Sequence, residues 1–152
     1  MIRKLFIYFF FVFVYSGFNV ILSQDETSMK DIQNKVTAFT NQLEQDKSFE
    51  IVNVTMDLIV KDGSKSFTRY LDPTFDYTIT AFGDSRIDRL TLNVNNGTSS
   101  DFEYNAESSA ANPSISVKPT GYSQYEFTVN NAKYYQDKTS GHFAVIIYHR
   151  IP

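Results

Sequence analysis

The chain contains no cysteine. That excludes disulfide bonds and an amino-terminal lipid-modified cysteine, so the folded part is held by its core alone. Histidine is almost as scarce, with only His142 and His149. They stand an odd number of residues apart, so on a regular strand they face opposite sides. A shared metal site or a histidine dyad is not expected from them. There is no basic cluster, and the formal net charge is −3. An acidic chain of this kind argues against nucleic acid and against anionic lipid surfaces as partners. No repeat occurs at solenoid periods. No Asp-x-Asp-x-Asp-Gly calcium loop occurs either.

What is present begins with an export pattern. Arg3 and Lys4 precede the apolar run Leu5–Tyr15, and Ser16–Gln24 then mixes apolar and small polar residues. A short basic region followed by an apolar core of this length reads as a secretory signal peptide. Residues 1–24 are assigned to it, with cleavage near Ser23 or Gln24. An uncleaved anchor is the alternative, since Leu5–Leu22 reaches the short end of the bilayer-spanning range. Cleaved export is preferred, because Ser16, Gly17 and Asn19 interrupt the run. No stable membrane association is expected after cleavage. Losing Arg3 and Lys4 takes the net charge from −3 to −5. The remainder is long enough for one domain with a real core.

Residues 25–46 read as the one amphipathic helix. Met29, Ile32, Val36, Phe39 and Leu43 recur at spacings of three and four, giving one apolar stripe. Ser28 is placed to cap its start, and Asp31 adds negative charge to the first turn. The stripe is expected to pack on the rest of the domain, with docking of a partner as the alternative.

Residues 47–152 read as strands. In Lys47–Lys61, the residues Val52, Val54, Met56, Leu58 and Val60 form one face. Asp62-Gly63 makes a turn. A strand over Ser66–Leu71 follows. Tyr77–Val94 then reads as a hairpin, with Tyr77, Ile79 and Ala81 alternating before a polar turn, and Leu90, Leu92 and Val94 after it. Asn95-Asn96-Gly97 is a turn signal. Phe102 and Tyr104 mark another strand, Ser108–Pro113 a loop, and Ile115 and Val117 a short strand. Tyr125, Phe127 and Val129 alternate next. Asn130–Gly141 reads as a polar loop, and Phe143, Val145 and Ile147 as one face of the last strand. About eight short strands punctuated by turns predict a mostly β fold: an antiparallel β-sandwich or jelly roll preceded by one helix.

The central stretch resembles the bacterial pre-peptidase C-terminal domain family, small β-sandwiches attached to secreted peptidases. The resemblance rests on Tyr77, Ile79 and Ala81, then Gly83-Asp84, then Ile87-Asp88 with Leu90, Leu92 and Val94, and last Gly141, Phe143 and Val145. It covers roughly residues 52–148. Thr91 stands where that family usually has a second Asp, and residues 1–152 themselves include no peptidase. The resemblance implies a non-catalytic module concerned with secretion, solubility or substrate binding. Some related collagen-binding domains hold calcium.

The residues suggest three chemistries. Phe82-Gly83-Asp84-Ser85 looks like the nucleophile block of GDSL-type esterases, in which a Ser gives its proton to a His. The Gly-x-Asn-Asp block and the Asp-x-x-His that accompany it are missing, and a Gly-Asp-Ser turn is ordinary turn chemistry. Asp84 and Asp88 are the acids placed to hold calcium, but Arg86 and Arg89 share their turn, and no metal or other cofactor is expected. Tyr122, Tyr134, Tyr135 and Tyr148 are the aromatic candidates for a sugar ligand, because a flat ring packs on a pyranose face. The expectation is therefore a secreted or periplasmic binding or accessory module rather than an enzyme. Its partner would be an envelope polysaccharide or a protein. A small hydrolase at Gly83-Asp84-Ser85 and a structural envelope subunit that adds a strand to a neighbour's sheet remain as alternatives.

Overall fold

The computed structural model describes residues 28–97 and 104–151, apart from the side chains of Ser28 and Asn131. The signal segment, the proposed Ser28 cap and Phe102 lie outside what is described. Helix α1 spans Ser28–Gln45. Eight strands follow: β1 Phe49–Val60, β2 Lys65–Leu71, β3 Tyr77–Gly83, β4 Ile87–Asn96, β5 Tyr104–Ala110, β6 Ser114–Val117, β7 Ser123–Tyr134 and β8 Ser140–Arg150. They form two four-stranded antiparallel sheets, β1-β8-β3-β6 and β2-β7-β4-β5.

The order has a simple origin. The first strand pairs with the last, the second with the seventh, the third with the sixth and the fourth with the fifth. The strands are thus nested pairs of one long hairpin, folded so that consecutive strands other than β4 and β5 fall in different sheets. This is the jelly-roll version of the sandwich. The two inner faces supply the core. Tyr77, Ile79, Ala81, Phe143, Val145 and Ile147 come from the first sheet; Leu92, Val94, Tyr125, Phe127 and Val129 come from the second. These are the alternating residues of the sequence, because a period of two puts every second side chain on one face.

Helix α1 closes the outer face of the first sheet. Ile32 and Val36 pack on Ala144 and Ile146 of β8, and the Phe39 ring meets Phe82 at 4.9 Å and Tyr148 at 5.7 Å. Its amino-terminal half is pinned by two polar contacts. Asp31 accepts the Ser85 N–H at 2.6 Å, and Lys35 donates to the Gly83 carbonyl at 2.8 Å. The stripe therefore packs on the sandwich, as expected. It also explains the unbroken apolar run Phe143–Ile147, since β8 is buried on both faces.

Three details differ from the sequence reading, and a fourth completes it. Tyr77–Val94 is not a paired hairpin: β3 lies in one sheet and β4 in the other, so the Gly83–Arg86 turn crosses between sheets. Strand alternation identifies a strand but not its partner. The Val52–Val60 row does form one face, but it is the outer one. Val54, Met56 and Leu58 pair with Ile146, Ala144 and His142, beside α1, and remain exposed, while Ile59 enters the core. Ser108–Ala110 belongs to β5, where Ser109 and Ala110 pair with Thr91 and Leu90. Asn130–Tyr134 belongs to β7, which continues past two irregularities in its pairing with β4.

Candidate functional site

The Gly83-Asp84-Ser85 turn is built around a buried carboxylate. Asp84 is 1% exposed. Its Oδ1 accepts the Arg86 N–H at 2.9 Å, and its Oδ2 accepts the His142 N–H at 2.6 Å. Its own N–H donates to the His142 carbonyl at 2.9 Å, and its carbonyl accepts from Ile87 at 3.1 Å. The residue thus fastens the sheet-crossing turn to the start of β8. Space there is tight. A Cβ added at Gly141 would stand 2.8 Å from Asp84 Oδ1. The His142 ring nitrogen Nδ1 is 3.9 Å from Oδ2, beyond a hydrogen bond. Ser85 is exposed, and its hydroxyl has no hydrogen-bond partner among the described residues.

Asp88 points elsewhere. It is exposed and hydrogen-bonds the Tyr135 hydroxyl, and this neighbouring carboxylate pushes the Tyr135 phenol pKa up. Asp84 and Asp88 therefore do not converge. Among the described residues, no three acidic or imidazole groups gather to hold a metal.

The four tyrosines singled out in the sequence occupy three places. Tyr148 stands edge-on to Phe39 and Phe49 beneath α1. Tyr134 is half-buried, and its hydroxyl donates to the Ile59 carbonyl at 2.9 Å. Burial, and then the nearby charge of Asp84, push its phenol up to about 12. Tyr135 is exposed in the β7–β8 loop, with its N–H on the Arg86 carbonyl. Tyr122 is 70% exposed just before β7. Its ring stacks on that of Tyr70, 57% exposed, with centroids 5.3 Å apart and planes 14° from parallel.

Tyr70 leads to a surface that the sequence reading missed. Residues paired across an antiparallel ladder share a face. On the outer face of the second sheet, Ser66, Thr68 and Tyr70 of β2 lie beside Thr128, Glu126 and Gln124 of β7. Asn130, Thr128 and Glu126 lie in turn beside Thr91, Asn93 and Asn95 of β4. Those lie beside Ser109, Glu107 and Asn105 of β5. Every outward position across four strands is therefore polar, with Tyr70 at one end. The signal was the second phase of each strand: where one phase makes core, the other makes this face. Asn is depleted in strands because it fits the pleated backbone poorly. Here it recurs at 93, 95, 105 and 130. Its side chain offers both donors and an acceptor, the equipment that hydroxylated ligands need.

At the other end of this face lies a cavity of about 540 Å³. Thr91, Ser109 and Ala132 line it from the strands. Lys61 and Asp62 line it from the β1–β2 turn, and Lys133, Tyr134, Gln136 and Lys138 from the end of β7 and the loop beyond. Thr91 donates to the Ser109 hydroxyl at 3.2 Å.

No family model and no curated protein matches the chain. Several solved structures are similar to it. The pre-peptidase C-terminal domain of a collagenase from Bacillus anthracis has 9% identity and a TM-score of 0.46, covering 62% of this chain and 87% of that one. The Yersinia pseudotuberculosis-derived mitogen has 8% identity and a TM-score of 0.43, over 64% and 84%. A periplasmic inhibitor of g-type lysozyme from Aeromonas hydrophila has 6% identity and a TM-score of 0.42, again over 64% and 84%. No family membership follows from these likenesses.

Proposed function

We propose that this protein is an exported, non-catalytic jelly-roll module that binds a polysaccharide across the outer face of its second sheet. The observation that carries the reading is the exposed, stacked Tyr70–Tyr122 pair at the end of an all-polar sheet face. A flat aromatic surface packs on the apolar face of a pyranose. The Asn, Thr, Ser, Gln and Glu side chains beyond it match sugar hydroxyls, which both donate and accept. An outer face already covered by a helix, like that of the first sheet, has no such role open to it.

The export half rests on Arg3-Lys4 and the apolar run Leu5–Tyr15. Mass spectrometry of the protein recovered from outside the cytoplasm tests it. A chain starting near Gln24 or Asp25 supports it, and an intact Met1 on a membrane-embedded species overturns it. The non-catalytic half is supported by Asp84, whose two oxygens accept the backbone N–H groups of Arg86 and His142 rather than orienting an imidazole. Ester hydrolysis abolished by Ser85→Ala would overturn it. The binding half is tested by co-sedimentation with insoluble polysaccharides. Tyr70→Ala and Tyr122→Ala are expected to release the protein without changing its stability, and retention by both variants overturns the reading.

A second reading has one observation in its favour. β1 is a twelve-residue edge strand, and its outward Val52, Val54, Met56, Leu58 and Val60 stay 40–52% exposed. Such an edge is a template for another strand. Size-exclusion chromatography of the exported form tests strand addition between copies, and a monomer at all concentrations removes it.

A further inference from the structure

We infer that the cavity at the end of the polar face binds the carboxylate of an acidic sugar, so that the polysaccharide recognised is a polyuronate. This rests on the reading of that face as a glycan-binding surface, and it adds the chemical class of the glycan.

Charge is the first ground. The chain is acidic, yet three lysines, Lys61, Lys133 and Lys138, line one cavity against the single acid Asp62. Lys61 and Lys133 form no ion pair among the described residues. Both are exposed, so their charges stand open to an incoming anion. Charge-assisted hydrogen bonds to a carboxylate are roughly twice as strong as neutral ones.

An orphaned acceptor is the second ground. Asn130 Oδ1 is buried with no hydrogen-bond partner among the described residues. Asn130 pairs with Thr91 across the β4–β7 ladder, so it shares the face of the residue that lines the cavity. Buried polar atoms in native proteins are almost always partnered, and one that is not calls for an explanation. An acceptor needs an incoming O–H or N–H. A bare inorganic anion offers little of that. A sugar acid offers a carboxylate to the lysines and hydroxyls to Thr91 and Ser109, which line the cavity beside Asn130.

Backbone geometry is the third ground. Asp62 and Gln136 are the two non-glycine residues with positive φ among the described residues, at 60° and 53°. Both line this cavity. At Asp62 this is ordinary turn chemistry; at Gln136 it is uncommon for the residue type and is held by its surroundings. The volume also suits a ligand, since small-molecule pockets run from about 300 to 1,000 Å³.

Isothermal titration tests the inference with short oligomers of galacturonate, mannuronate and glucuronate, the fully methyl-esterified form of each, and inorganic phosphate. At least one free acid is expected to bind about tenfold or more tighter than its ester at low salt, the worth of one hydrogen bond to a charged group. That preference is expected to vanish in Lys61→Ala/Lys133→Ala, while Tyr122→Ala weakens acid and ester alike. Equal binding of acid and ester overturns the inference and leaves the glycan-binding reading standing. Binding of neither form by the folded protein overturns both. Lysine-dependent binding of phosphate without any glycan overturns the sugar assignment and leaves a simple anion site.

Discussion

Asp84→Asn is the sharpest perturbation of this fold, because it replaces one oxygen by an NH2 group and leaves the shape intact. The carboxylate accepts one backbone N–H on each oxygen, from Arg86 at 2.9 Å and from His142 at 2.6 Å. The side chain is fully buried, so water cannot replace either partner. An amide has one oxygen. In either orientation its NH2 group faces a backbone N–H, donor against donor, and that N–H loses its partner. A hydrogen bond to a charged group contributes about 1.5–3 kcal/mol, and a buried donor left without a partner costs about 1–3 kcal/mol. Counting these as overlapping descriptions of one loss, Asp84→Asn is expected to cost about 2–4 kcal/mol. A domain of this size has about 5–15 kcal/mol in all. With a urea m value of about 2 kcal/mol/M, the midpoint falls by roughly 1–2 M. Circular dichroism during urea unfolding measures it. Asp88→Asn on the exposed side of the same turn is the control, expected within about 0.5 kcal/mol of the parent. Asp84→Asn falling equally close to the parent would refute the claim that this residue fastens the turn to β8.

Leu92→Ala is expected to cost about 2–5 kcal/mol, since Leu92 is fully buried between the sheets; Asn93→Ala, on the outer face, should stay within about 0.5 kcal/mol, and similar urea midpoints would contradict the strand phase. Alkaline pH should destabilise the fold through Tyr134, whose phenol burial raises from 10.0 to about 12. Its neutral form is the one the fold favours, so the stabilisation is intact below pH 10 and is lost as pH rises from 10 through 12. Tyr134→Phe should flatten that part of the stability–pH curve, and an unchanged slope would refute the assignment. Calcium should leave thermal unfolding unmoved, because both oxygens of Asp84 are occupied and Asp88 lies apart with Tyr135. Saturation at a hundredfold excess over Kd would add about 2.7 kcal/mol, or several degrees, so a calcium-dependent rise lost in Asp84→Asn would sink this.

The strands were legible because their inward phases are apolar. Tyr77, Ile79 and Ala81, Leu92 and Val94, and Phe143, Val145 and Ile147 all reached the core as the alternation predicts. Partnership was not legible. Nothing local distinguishes a hairpin from a turn that crosses between sheets, and the difference at Gly83–Arg86 is made by β8, distant in sequence, through His142. In β1 the alternation was legible but the buried face was not. Its most regular apolar row faces outward beside α1, and its inward positions 53, 55 and 57 are Asn, Thr and Asp. The candidate site was half legible. Tyr122 was recognisable as an exposed aromatic, but its stacking on Tyr70 requires the β2–β7 pairing. Likewise, Lys61 meets Lys133 and Thr91 only once β1, β4 and β7 converge at one end of the sandwich.

The account turns on whether the outer face of the second sheet holds a glycan. NMR chemical-shift mapping of the isotope-labelled exported form, titrated with the oligosaccharides above, addresses that directly. The account predicts perturbations running from Tyr70 and Tyr122 through Glu126, Asn93 and Thr128 to Thr91 and Lys133, with α1 and β1 unmoved. Perturbations confined to α1 and the Val52–Val60 row, or to the Gly83–Ser85 turn, would contradict it.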